Sequence, residues 1–174
     1  MKKQGEGGES VTKRTYENDS VRVSWNSTRC IHGGKCLRAL PEVFDTSARP
    51  WIDVNAADAD AVAGAIQLCP SGALSYERLD GGPAEAFPEV PVIVPRANGP
   101  LFVRGRVRVE TSSGEVFDEA GRMTLCRCGA SQNQPFCDNS HRTIKFKDNP
   151  RVISSGREAA SNPGEITGAE PAGT

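Results

Sequence analysis

Apolar and polar positions alternate at short intervals along this chain, and the period changes from two to nearly four and back to two. Val21-Arg22-Val23-Ser24-Trp25 alternates strictly, which predicts a half-buried strand between Tyr16 and Trp25. A short helical turn is expected from Cys36 to Leu40, stopped at Pro41, with Val43 and Phe44 as core positions. Arg49-Pro50-Trp51-Ile52-Asp53-Val54 reads as a second strand. Asn55 has the chemistry of a helix N-cap, with Asp58 three residues later and Asp60 in the first turns. Val62, Ala65, Ile66 and Cys69 fall at i, i+3, i+4 and i+7, so one helical face carries all four towards the core. Pro70 ends the helix, and residues 71–76 turn into a short strand.

Residues 80–91 carry Gly81, Gly82, Pro83, Pro88 and Pro91 and read as a linker. Beyond it the helical period does not return. Val92-Ile93-Val94 opens a second unit, Asn98-Gly99-Pro100 is a turn, and residues 101–109 form a strand or a pair of strands. Ser112-Ser113-Gly114 is a hairpin turn, after which Glu115-Val116-Phe117 returns. Ile144 and Phe146 read as a closing strand. The predicted class is α+β: a small α+β domain over 15–79, a linker over 80–91 and a small all-β domain over 92–148. Residues 1–14 and 149–174 are polar and Gly-rich without periodicity and read as disordered tails.

Composition sharpens this picture. Gly and Pro supply 18 and 12 of the 174 residues, and aromatic residues only 6%. Two domains of this size fall below the ~70–80 residues at which a hydrophobic core alone suffices. Each needs a staple, and metal binding can supply one. A net charge of −1 gives no field to draw in nucleic acid or an anionic membrane. No apolar run approaches the ~18 residues of a membrane span, and the first residues lack the apolar core of a signal peptide. A cytoplasmic setting is therefore expected, in which six clustered cysteines read as metal ligands before disulfides.

Cys126, Cys128, Cys137 and His141 place four ligand-type side chains within one loop, spaced C-x-C-x8-C-x3-H. Structural zinc sites usually pair C-x2-4-C knuckles well apart, which this is not. By ligand softness alone, zinc and an iron–sulfur cluster both remain open. At these residues the sequence resembles the CDGSH iron–sulfur family, whose pattern is C-x-C-x2-(S/T)-x3-P-x-C-D-G-(S/A/T)-H. Cys126, Cys128, Ser131, Pro135, Cys137, Asp138, Ser140 and His141 fall on it. Asn139 stands where that family usually has glycine, and asparagine is well suited to a positive φ. The resemblance implies a 2Fe-2S cluster held by Cys126, Cys128, Cys137 and His141, with Ser131 and Asp138 holding the loop.

Cys30, Cys36 and the Cys69-Pro70 pair, with Pro41-Glu42-Val43-Phe44 between them, resemble small mono-cluster ferredoxins over about residues 16–78. A 4Fe-4S loop of this kind has a further cysteine where Gly33 stands here. Three thiolates leave two expectations: a 3Fe-4S cluster, or a 4Fe-4S cluster with a fourth ligand, for which the neighbouring His32 is the candidate. Buried structural cysteines are the alternative to any cluster.

Two clusters in one short chain point to electron transfer, with a redox partner protein. An imidazole ligand at His141 implies an acid-labile second cluster and raises its potential relative to an all-cysteine centre. A cluster-transfer or redox- and pH-sensing protein serving an apo-acceptor is a second reading, and a zinc-stapled binding module without redox chemistry a third. Both histidines sit in the cysteine loops, so no hydrolytic triad can form, and no enzyme is expected. Arg104, Arg106, Arg108, Arg122 and Arg127 read either as a solvated strand face offsetting cluster charge or as a docking surface for an acidic partner. A homodimer is what CDGSH relatives suggest.

Overall fold

The computed structural model describes residues 13–148. Within them the protein is α+β, built on two three-stranded antiparallel sheets. In the first, β1 (Lys13–Glu17) and β3 (Leu74–Arg78) flank β2 (Val21–Asn26). The alternation in β2 does what its pattern predicts. Val21 and Val23 are fully buried, while Arg22 faces the other way and bridges Glu17 and Glu77 on the two neighbouring strands at 2.6 and 2.7 Å. Short helix α1 (Lys35–Ala39) follows the first cysteine loop. Helix α2 (Ala59–Gln67) buries Val62, Ala65 and Ile66 against Val21, Val23, Phe44, Ile52 and Leu74.

Three local expectations need correction. The helix begins three residues later than Asn55, because Asp58 takes the cap and accepts from the Ala61 N–H at 2.8 Å. Asn55 instead closes a turn on Asp53. Residues 49–54 form no strand: Ile52 pairs with Phe44 through one isolated bridge, and the apolar side chains there fill the core from a loop. Lys13 and Arg14, assigned by composition to a tail, are already paired with Asn26 and Trp25 in β1. Residues 1–12 and the tail at 149–174 lie outside the described residues.

The second sheet has the order β4 (Val92–Pro95), β5 (Leu101–Glu110), β6 (Val116–Leu125). Residues 101–109 thus form one long strand, bent by a register shift between Arg104 and Val107. Gly105 sits in that bend at φ 117°, where a Cβ would lie 2.6 Å from the Pro91 backbone. Residues Ser140–Thr143 form a single helical turn, α3, in place of the closing strand, and Ile144 is exposed.

The stretch 80–91 is no free tether. Glu85 pairs with Arg122, and Phe87 covers Gly121 so closely that a Cβ there would meet its ring.

Candidate metal centres

The first cysteine loop is shaped by its flanks. Asn26 caps the turn Ser27–Arg29 through the Thr28 N–H, which delivers Cys30 at the end of β2. His32 and Gly34 then take left-handed backbone at φ 49° and 66°, and the chain turns into α1 carrying Cys36. Cys69 arrives from the other side, one residue past the Leu68 cap of α2, its N–H bonded to the Ile66 carbonyl at 2.9 Å. Helical phase and a tight turn thus place three thiols in one electrostatic neighbourhood. Burial pushes the Cys30 thiol up, and a charge on Cys69 pushes it further against the His32 N–H. Burial and then Cys69 do the same to Cys36. The indole N–H of Trp25 is buried without a conventional partner and lowers the Cys30 thiol against that rise. A buried donor beside raised thiols fits a group that takes the sulfurs as thiolates.

His32 is exposed, and its Nδ1 stands 3.9 Å from Cys30 Sγ. It shares a cavity of about 920 Å³ with Cys30, Cys36, Trp25 and Trp51.

The second loop leaves β6 at Leu125. Its ends are closed by two main-chain bonds, Cys126 N–H to Pro135 O at 2.8 Å and Cys137 N–H to Thr124 O at 2.9 Å. Ser131 Oγ donates to Phe136 O at 2.7 Å and accepts from Asn133 N–H. Asp138 accepts from the N–H groups of Gln132 and Ser140, both at 2.9 Å. With Ser140 as the main cause, its carboxyl falls to about 2. These are the loop-holding roles expected of both residues. Asn139 takes the left-handed turn at φ 74°.

The four candidate ligands fall into two pairs. Cys126 Sγ and Cys128 Sγ are 3.8 Å apart, and Cys137 Sγ and His141 Nδ1 are 3.5 Å apart. Two ligands on one tetrahedral metal, at ~2.3 Å for sulfur and ~2.0–2.1 Å for nitrogen, stand about 3.8 Å apart for S/S and about 3.5 Å for S/N. Each pair fits one metal ion. Among the described residues, no three His, Cys, Asp or Glu side chains converge on a single ion. Burial pushes the Cys126 thiol up, but the N–H groups of Ser131, Gly129 and Cys128 outweigh it and hold the thiol below its ordinary value. Cys137 is pushed up by burial and then by the charges around it, against the Asn139 N–H. Burial lowers the His141 imidazole, Arg142 adds to this and Asp138 opposes it.

The two loops meet. Asn133 Nδ2 donates to Thr28 O at 2.6 Å, and Asn139 Nδ2 donates to Ile31 O. Arg29 lies over the Phe136 ring at 5.2 Å and donates to Arg122 O at 2.9 Å. Arg122 returns the contact, donating to the carbonyls of Cys69 and Leu74 while paired with Glu85 at 2.7 Å. Arg122 is therefore buried structure, not strand surface. Arg127 too is occupied, with the carbonyls of Gly99 and Arg96 and with Asp148. Arg106 and Arg108 remain exposed. Arg29, Glu85 and Asn133 were missed from sequence, because nothing local marks a polar residue that will be buried by a distant segment.

Residues 16–79 match the family model described as "Divergent 4Fe-4S mono-cluster", and residues 98–142 match "Iron-binding zinc finger CDGSH type". The chain is also 36% identical over 63 residues to "Uncharacterized protein YjdI" of Escherichia coli (strain K12), covering 36% of this chain and 83% of that protein; YjdI of Escherichia coli O157:H7 matches equally. The chain belongs to the divergent 4Fe-4S mono-cluster family through its first half, joined to a CDGSH-type iron-binding domain. Both halves are iron–sulfur-type domains. No helix among the described residues is long and apolar enough to cross a membrane.

Proposed function

We propose that the protein is a non-enzymatic, one-electron carrier with two iron–sulfur centres. Cys30, Cys36 and Cys69 hold a 4Fe-4S cluster, or a 3Fe-4S cluster if His32 or another donor does not complete it. Cys126 and Cys128 hold one iron of a 2Fe-2S cluster, and Cys137 and His141 the other. Bound there, the clusters supply reversible one-electron chemistry, and the imidazole leaves the second centre less negative than four thiolates would. The chain's own residues do the rest: N–H groups around Cys126 stabilise thiolate sulfur, Trp25 offers a donor by Cys30, and the buried arginines fix one loop against the other. The observation that carries this reading is that contact, in which Arg122 on the second sheet donates directly to the peptide of Cys69. Two ligand sets held as neighbours suit electron passage between them and on to a partner protein. Six free cysteines suit a reducing compartment such as the cytoplasm.

Iron, zinc and acid-labile sulfide per chain on anaerobically purified protein, with EPR of oxidised and reduced samples, test it. About five or six irons with matching sulfide are expected from these cluster types; zinc without sulfide would end the redox reading.

A second reading, cluster donation to an apo-acceptor or pH sensing, is favoured by one feature. His141 lines an open cavity of about 540 Å³ together with Arg96, Phe102, Asn139 and Arg142, so solvent or an acceptor can reach the imidazole side of the centre. His141→Cys is expected to slow cluster loss below about pH 6, where a free imidazole gains a proton. Equal loss in both proteins would remove His141 from the ligand set.

A further inference from the structure

We propose that Asn139 is the positioning residue that couples the two metal sites to each other. The inference rests on the two-centre reading above and deepens it. The main-chain N–H of Asn139 donates to Cys137 Sγ at 3.3 Å, and its side-chain amide donates to the carbonyl of Ile31. Ile31 is buried and lies between Cys30 and His32. One residue therefore joins a candidate ligand sulfur of the second site to the Ile31–His32 peptide, one residue past Cys30. Among the described hydrogen bonds between the halves, this one belongs to a residue that also touches a ligand sulfur.

The backbone makes the double contact feasible. The N–H of Asn139 faces back on to Cys137 Sγ, and from a backbone at φ 74° its side chain reaches Ile31 in the first loop. Glycine takes this φ with less strain and would keep the N–H···S bond, but it has no side chain to reach Ile31. Aspartate keeps the size and tolerates the φ, but its carboxylate would face a carbonyl with no proton between them. The bond borders the open cavity beside His141 and is backed by further contacts between the loops. Asn133 ties the same loops together through Thr28 O, and Arg29 packs over Phe136 beside it. With both centres bound, the joined loops would let one site be oxidised by one electron as the other is reduced by one, with no bond or proton exchanged between them.

The test uses full-length Asn139→Gly and Asn139→Asp, loaded anaerobically, with iron and sulfide counted. Both variants should carry both centres. Hydrogen exchange in residues 30–34 should rise about five- to tenfold, the effect of losing one side-chain hydrogen bond. Electron equilibration between the centres after flash photoreduction should slow several-fold, and more for Asp than for Gly. Unchanged equilibration with both centres present overturns the inference, whether or not exchange has changed, because Asn139 would then be a structural clasp only. Loss of iron from the Gly variant also overturns it, since the N–H···S bond survives that change. A single centre in the unaltered protein overturns the two-centre reading first, and this inference with it.

Discussion

Arg29 and Arg122 are both more than nine-tenths buried, and each is paired with one carboxylate, Asp118 at 2.6 Å and Glu85 at 2.7 Å. Burial lowers the Arg29 guanidinium, and the neighbouring Arg122 charge lowers it further against Asp118. Removing one partner of such a pair strands a charge or several carbonyls, which typically costs about 3–5 kcal/mol. Arg122→Met should lose stability on that scale, because the Cys69 and Leu74 carbonyls and Glu85 all lose their donor together. Glu85→Gln should lose less, since both carbonyl bonds remain. Urea unfolding of the two variants measures this; equal, sub-kilocalorie losses would mean that the arginine does not hold the halves together. The candidate ligands of the second loop stand out in the sequence because their spacing is local, and Asn139 was legible as a positive-φ position for the same reason. Arg122 was not. A two-residue period assigns alternate side chains of a strand to solvent, but Arg122, Met123 and Thr124 are all buried in succession. Arg122 and Thr124 share one face of the strand, which residues 69–74 cover, and no local pattern records that cover.

The turn between α2 and β3 is the element on which both halves depend. Gly72 sits there at φ 64°, and a Cβ would lie 2.2 Å from the Arg122 carbonyl oxygen. Thr124 Oγ1 reaches Pro70 O at 3.1 Å from the same strand. Gly72→Ala therefore adds left-handed strain and drives β6 away from the Cys69 loop. Asp58→Ala is the matched control: it removes the N-cap of α2 at its far end and should cost about 1 kcal/mol, the usual value of a lost cap. Gly72→Ala should cost more than Asp58→Ala in thermal unfolding, and it alone should loosen hydrogen exchange in β6. If the two variants match in both measurements, the turn is not the hinge of the interface. The buried face of α2 was legible from its spacing, since Val62, Ala65 and Ile66 point inward as the period requires. Its start was not, because Asn55 and Asp58 are both good caps, and the Asn55 side-chain oxygen is taken instead by the distant Asn18 amide. Residues 49–54 had a strand's composition but no partner strand to complete a ladder.

The apolar core of the molecule is lopsided. The cluster of buried side chains running from Val21 through Phe44, Ile52 and Ile66 to Leu74 lies wholly in the first half. Among the described residues of the second half, the buried apolar side chains besides Pro100 are Val103, Met123 and Cys137, accompanied by Arg122, Thr124 and Ser131. A three-stranded sheet with so little to bury is marginal on its own. Two things can hold it: the polar interface with the first half, and metal in the Cys126–His141 loop, whose binding free energy adds directly to folding. Stripping iron with a chelator separates the two contributions. The first half should keep slow hydrogen exchange in β2, β3 and α2, because its core does not need the metal to stay closed. β5, β6 and residues 126–141 should lose most of their protection, because the interface fixes only one flank of the sheet. Reloading iron and sulfide should restore it. If metal-free protein protects both halves equally, the buried arginines and their carbonyl partners suffice to hold the second sheet. The cluster loop would then be a site that the fold prepares, and the centre could come and go without unfolding its host, which is what cluster donation requires.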